Sequence, residues 1–164
     1  MKNLFNVNEA ELRELFFRQK VAGAIDGLDA ASTPLWGRMS AQEMLEHLIW
    51  AFELSNGGIS IDCFVAPERW PRMKEFLYSN RPTPQDFMNP ALADGLPPLR
   101  HRSLSEAKSA LRFEMERFLD CNRCSEEVYT HPIFGPIGYE EWHRVHYKHT
   151  YHHLLQFGLI ELEE

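Results

Sequence analysis

Five of the chain's eight histidines fall within eleven residues near the C-terminus: His143, His146, His149, His152 and His153. A sixth, His47, stands alone much earlier. Neutral imidazole is the commonest metal-binding side chain, so these residues point first to metal chemistry. On a helix each residue turns by about 100°. Trp142, His146, His149 and His153 then share one face, and His143 and His152 flank it on opposite sides, where they are expected at the surface. His149 and His153 lie four apart, which sets their Cβ atoms about 6 Å from each other, close enough for both rings to meet one ion. His146 and His149, three apart, make a poorer pair. His47 sits among Met44, Leu48, Ala51 and Leu54 on an apolar stripe and so points inward. One inward histidine and an HxxxH pair on a facing helix make a three-nitrogen site with coordination positions left open. The expected ligands are His47, His149 and His153. An ion held there acts as a Lewis acid and lowers the pKa of a bound water or thiol. The competing readings are a core histidine bonded to a carbonyl for His47 and a solvated polar face for the cluster.

Other chemistry is sparse. Glu114 lies mid-stripe between Leu111 and Phe118 on a third helical segment. Burying a carboxylate costs several kcal/mol unless it is paired. Glu114 is therefore the one catalytic candidate, as a fourth ligand, a general base or a partner of a histidine N–H. A salt bridge at the edge of the helices is the competing reading, and the favoured one. Gln156 and Glu43 could orient ligands, although Glu43 also fits a helix cap. Glu140-x-x-His143 has no second Glu-x-x-His to complete a di-iron site. Cys121-x-x-Cys124 lacks a second CxxC and reads as two free thiols at a helix end. HExxH, GxSxG, a Walker loop and GxGxxG do not occur.

These side chains need helices to position them, and four segments carry helical periodicity. The first, about 8–23, opens on a capping box of Asn8 and Glu11 and aligns Leu12, Leu15, Phe16, Gln19 and Gly23. The second, about 40–55, opens on Ser40 and Glu43 and ends at Asn56-Gly57-Gly58. The third begins at Ser103 with Glu106, aligns Ala107, Ala110, Leu111, Glu114 and Phe118, and stops near Asn122. The fourth runs from about Tyr139 to Phe157, after a turn at Gly135-Pro136-Ile137-Gly138, with Gly158 as its C-cap. No convincing strand is apparent; Ile59 to Val65 is the best candidate. Roughly 45 residues separate the second and third segments, a length that marks a functional loop or a crossover. They hold seven of the ten prolines, and Pro67 or Pro71 starts a short helix reaching Tyr78. Such a crossover lets the second and third helices run parallel. Its Trp70, Phe76, Phe87 and Met88 are expected to form substrate walls or a lid.

The bulk composition sets limits. A chain of 164 residues favours one domain, 1–164, able to bury a core without a metal staple, so that a metal would be functional. Net charge is −7 and pI about 5.6, which argues against nucleic acid or anionic membrane as partner. No apolar run approaches the ~20 residues of a membrane span. Residues 1–6 lack an apolar leader core, and the three cysteines are odd in number; both fit a reducing cytoplasm.

Several motifs together resemble the DinB-like superfamily of metal-dependent bundle proteins, and within it an uncharacterised branch. They are Trp36-Gly37-Arg38-Met39-Ser40 leading into Met44-Leu45-Glu46-His47-Leu48; His131-Pro132-Ile133-Phe134-Gly135; Glu141-Trp142; and His149-Thr150-Tyr151-His152-His153-Leu154-Leu155-Gln156-Phe157-Gly158. They cover the second and fourth helices and the turn before the fourth. The resemblance implies an all-α, up-down-down-up four-helix bundle with a long Pro-rich crossover between helices 2 and 3. It implies a triad at His47, His149 and His153 holding zinc or nickel, and in many members a homodimer. It also implies small-molecule substrates, with water activated in a hydrolase or a low-molecular-weight thiol in a transferase. The extra histidines depart from the family pattern, and His146 or His152 could replace a ligand. A non-catalytic metal or small-ligand binding protein of the same fold is the alternative, and an interaction module with vestigial histidines a third reading.

Overall fold

Ser40 starts the helix that carries His47. Its hydroxyl accepts from Glu43 N while the Glu43 carboxylate accepts from Ser40 N, so the expected capping box is closed. The resulting helix, α2 (Ala41–Ser55), is buried along nearly its whole length, including Met44, His47, Leu48, Ala51 and Leu54. The computed structural model describes residues 5–162. The first four residues, on which the reading of a missing leader partly rests, and the last two lie outside the described residues. The chain is mostly helical, with five helices and one small two-stranded sheet among the described residues.

Helix α1 spans Ala10–Leu15, continues as a π-helical stretch Phe16–Val21 and ends as Ala22–Asp26. The expected apolar face is buried only in part: Phe16 lies in the core and Leu12 is half-buried, but Leu15, Gln19 and Gly23 face solvent, and Arg13, Phe17, Val21 and Ile25 point inward instead. Residues four apart drift by about 40° per step on an α-helix. The wider π turn cancels that drift and keeps Phe17, Val21 and Ile25 in register with Arg13. Nor does the Asn8–Glu11 box form. The Asn8 amide donates to Tyr78 O (2.9 Å), and the helix begins after Glu9 without a side-chain cap.

Helix α3 (Trp70–Tyr78) follows a 3₁₀ turn at Pro67–Arg69, as the prolines suggest. Helix α4 (Leu104–Glu116, then π-helical Arg117–Cys121) is capped by Ser103, which accepts from Glu106 N. Glu106 does not close the box, because its carboxylate takes the N–H groups of Arg102. Helix α5 (Tyr139–Gln156) ends in a Schellman motif: Gly158 N donates to Leu155 O (3.0 Å) and Leu159 N to Leu154 O (2.9 Å). α2 packs on α4 and α5, and α5 also meets α1 and α3. The end of the crossover is tied to α2 by buried Glu46, which accepts from Arg100 N and His101 N. Among the described residues no helix is long and apolar enough to cross a membrane.

The sheet departs from expectation. Strands β1 (Tyr129–His131) and β2 (Gly135–Ile137) pair antiparallel, with His131 opposite Gly135. Three-residue strands are too short to show a period of two, so their sequence looks like a turn. His131 Nδ1 holds the connection by accepting from Ile133 N (3.0 Å) and Phe134 N (3.3 Å). Ile59 to Val65 forms no strand; Phe64 N instead donates to Pro132 O. Gly135 has φ +74°, and a Cβ there would lie 2.5 Å from the Trp70 indole. Gly135→Ala therefore combines backbone strain with a clash, a loss of about 2 kcal/mol. Thermal unfolding should show Tm lowered by about 4–8 °C for a domain of this size; an unchanged Tm would contradict this close approach.

Candidate metal centre

The packing of α2 on α5 sets His47 against the HxxxH pair. His149 Nε2 lies 2.8 Å from His47 Nε2 and 3.2 Å from His153 Nε2. The three ligand atoms all fall within 4.8 Å of one another. Metal–nitrogen bonds of about 2.0–2.1 Å in a tetrahedron put the nitrogens about 3.3 Å apart, so modest ring movements suffice to seat an ion. Histidine is here the whole donor set, as suits zinc or nickel.

The protons of this cluster do not balance without a cation. His153 Nδ1 lies 2.7 Å from Gln156 Oε1, and Gln156 Nε2 donates to Trp36 O at 3.0 Å. The amide oxygen therefore faces the ring and accepts the Nδ1 proton, which leaves Nε2 of neutral His153 a bare lone pair. His149 Nε2 must then serve two short contacts with one proton, or set its own lone pair against that of His153. Protonating the rings is no remedy. Burial pushes His47 down to about 4, helped by the charge of His152, and burial pushes His149 and His153 well below the ordinary range. A divalent ion would accept all three lone pairs at once.

The loop before α2 maintains this arrangement. Leu35 N donates to Gln156 O (2.6 Å). Gly37, at φ +79°, lets the chain pass so close that a Cβ would sit 2.8 Å from Gln156 Nε2. The motif Trp36-Gly37 thus works through Gln156 on His153.

The remaining histidines divide by environment. His146 is fully buried but points away from the cluster; its Nε2 meets Ser55 Oγ at 2.7 Å, and its ring stacks on Phe52. His143, expected at the surface, is buried, because Arg13 reaches under α5 and donates from Nε to His143 Nδ1 (3.2 Å). Arg13 also donates to Val7 O and to Glu140. His152, also expected at the surface, is half-buried, with Nδ1 3.3 Å from Thr83 O. Glu114 takes no part in the cluster: its carboxylate accepts from Asn56 Nδ2 (2.7 Å), tying the end of α2 to α4, and pairs with Arg117 at 4.0 Å, the salt bridge its position favours. Cys121 and Cys124 are exposed free thiols at the end of α4.

The cluster opens on a cavity of about 650 Å³. Its apolar walls include Trp36, Trp50, Phe76, Phe87, Met88 and Phe134. Phe76, Phe87 and Met88 are where the crossover was expected to supply a wall. Trp70 is elsewhere, donating to Val65 O and covering Gly135. Sequence patterns gave no sign of Lys148, which lies in the cavity wall at 3% exposure. No protein-family model, curated protein or solved structure matches this chain.

Buried neutral histidines make the fold acid-sensitive. Burial lowers His131 and His143 to about 3 and His47 to about 4, from an ordinary 6.5. The unfolded chain takes up these protons below pH 6.5 and the native chain does not. Their contribution is complete above pH 6.5 and falls with pH by about 1.4 kcal/mol per unit for each histidine. Above pH 7 these rings add no further change, and Lys148, lowered by burial to about 7 from 10.5, makes stability rise with pH. Metal-free protein should lose stability steeply between pH 6.5 and 5, before most carboxylates titrate. A Tm that is level across that interval would show that these rings are not buried in the neutral form.

Proposed function

We propose that this protein is a metal-dependent enzyme of the DinB-like type. α1, α2, α4 and α5 would form an up-down-down-up four-helix bundle, with α3 in the long crossover. The observation that carries the reading is the convergence of three imidazole Nε2 atoms on the wall of an apolar cavity. His47, His149 and His153 would hold zinc or nickel, while Gln156 and the Trp36 carbonyl orient His153. When bound, the ion supplies Lewis-acid chemistry and lowers the pKa of water or of a thiol. The cavity walls hold a small-molecule substrate and exclude solvent from the ion. Two reactions suit this centre: hydrolysis of an ester or amide, and transfer of a low-molecular-weight thiol to an electrophile. We further propose a homodimer in the cytoplasm, without nucleic-acid or membrane partners.

One observation favours a second reading, a non-catalytic metal or small-ligand binding protein of the same fold. Among the described residues no aspartate or glutamate lines the cavity, so no carboxylate is at hand as a general base. Screening zinc- and nickel-loaded protein against esters, and against thiols with electrophiles, separates the two readings. Turnover with either class supports the enzyme, and metal binding without turnover supports the binding protein.

Metal analysis tests the centre itself. The wild-type chain should bind about one equivalent of zinc, as expected for a site completed by three histidines. His153→Ala and His149→Ala should lose it while keeping their helical circular dichroism. Gln156→Leu should weaken binding by about 10–100-fold, the usual effect of removing the group that orients a ligand histidine. One equivalent retained by His153→Ala would overturn the assignment.

A further inference from the structure

The walls of the cavity are charged in one sense only. The chain has 24 acidic and 17 basic residues, yet the charged residues lining the cavity are Arg38, Arg81 and Lys148, with no carboxylate among the described residues. Ion pairs are plentiful elsewhere, as between Arg100 and Glu53 or Arg18 and Asp120. None of those among the described residues involves a residue of the cavity wall.

Lys148 is the informative member. Its side chain is buried, burial pushes its pKa down to about 7, and an anion placed beside it would hold it as the ammonium. Among the described residues its Nζ has no carboxylate partner: it meets Arg81 O at 2.7 Å, Ser79 Oγ at 3.5 Å and the faces of Phe76 (3.8 Å) and Phe5 (5.8 Å). The loop that supplies that carbonyl also brings Arg81 to the same wall. The Lys148 amine, exposed Arg81 and aromatic surface thus border one cavity, with no carboxylate lining it among the described residues.

We propose that the cavity binds an organic anion with an apolar body, such as a medium-chain carboxylate, whose charged group is held at Lys148 and Arg81. The volume suits a ligand of this kind, since cavities of about 300–1,000 Å³ are usual for small-molecule sites. The aromatic walls take up the hydrocarbon, and the ammonium supplies a charge-assisted hydrogen bond. This names the substrate class of the centre proposed above. It rests on that reading only for where the reacting bond would lie, because Lys148 is present with or without an ion.

The test compares decanoate, decanol and decyltrimethylammonium, all below their micellar concentrations, on zinc-loaded and on chelator-treated full-length protein. Trp36, Trp50 and Trp142 line the cavity, so tryptophan emission reports occupancy. Decanoate should bind about tenfold or more tightly than decanol, the margin of one charge-assisted hydrogen bond, and the ammonium more weakly than either. The preference should persist in metal-free protein, disappear in Lys148→Met with decanol affinity kept, and survive in Lys148→Arg. Should Lys148→Met not fold, the ranking in unaltered protein and the Lys148→Arg result decide. Equal affinity for all three ligands would overturn the proposal, as would a preference that vanishes with the metal yet is untouched in Lys148→Met. Failure to bind zinc together with an intact decanoate preference would sink the metal centre and leave this proposal standing.

Discussion

Three neutral imidazoles held nitrogen to nitrogen at the wall of a cavity are the constraint around which the rest of this fold is arranged. Such a contact gains nothing from the hydrophobic effect, and its hydrogen bonds cannot all be made with the protons available. It persists because both helices are fixed independently. The Ser40–Glu43 box sets the start of α2, and the Schellman turn at Gly158 sets the end of α5. The loop carrying Trp36 and Gly37 then locks Gln156, and through it His153. A site whose ligands are aimed by groups that are themselves aimed can keep its shape before an ion arrives.

The parts of this arrangement that were legible in the sequence are those set by short-range rules. Ser40 with Glu43, Gly158 after the last helix, and Pro67 before Trp70 each carry a local signal, and each forms the expected structure. His47 could be placed because the residues around it leave one face apolar. His149 and His153 could be paired because the helical repeat makes residues four apart neighbours. Gln156 was a candidate for orienting one of these histidines, and its amide oxygen meets His153 Nδ1, although its carbonyl partner on Trp36 could not have been foreseen.

What escaped the sequence depends on helices that are not ideal or on partners distant along the chain. The π turn in α1 alters the angular step, so a stripe drawn at 100° per residue finds Phe16 but also selects Leu15 and Gln19 where the structure buries Phe17 and Val21. His143 looked like a surface residue because nothing near it in sequence announces that Arg13 will reach it from another helix. α5 is buried on almost every side, and Lys148, His143 and His146 interrupt the contrast between apolar and polar faces that amphipathic reasoning needs. Glu114 shows the favoured reading at work: a carboxylate on an apolar stripe could suggest chemistry, yet Arg117 pairs with it and Asn56 from the end of α2 donates to it.

Those interruptions also bear on the balance between stability and function. Folding alone would be served as well by leucine or methionine at Lys148, His149 and His153, since well-packed apolar replacements of buried charged groups are often neutral or stabilising. A protein that keeps seven lowered imidazoles and a buried lysine accepts acid sensitivity and an incomplete set of hydrogen bonds. The core histidines His143 and His146 still have structural partners in Arg13 and Ser55. The triad and Lys148 have in common that they border the same cavity and, among the described residues, lack a carboxylate partner there. Polar groups left short of partners inside a protein can be satisfied from outside it, which is the basis of the cation proposed for the lone pairs and the anion proposed for Lys148. The same lining can accept both only because they stand on different parts of the wall, the lone pairs between α2 and α5 and the ammonium against α3. This separation is what would allow an anionic molecule to be held at one end while its other end lies beside the ion.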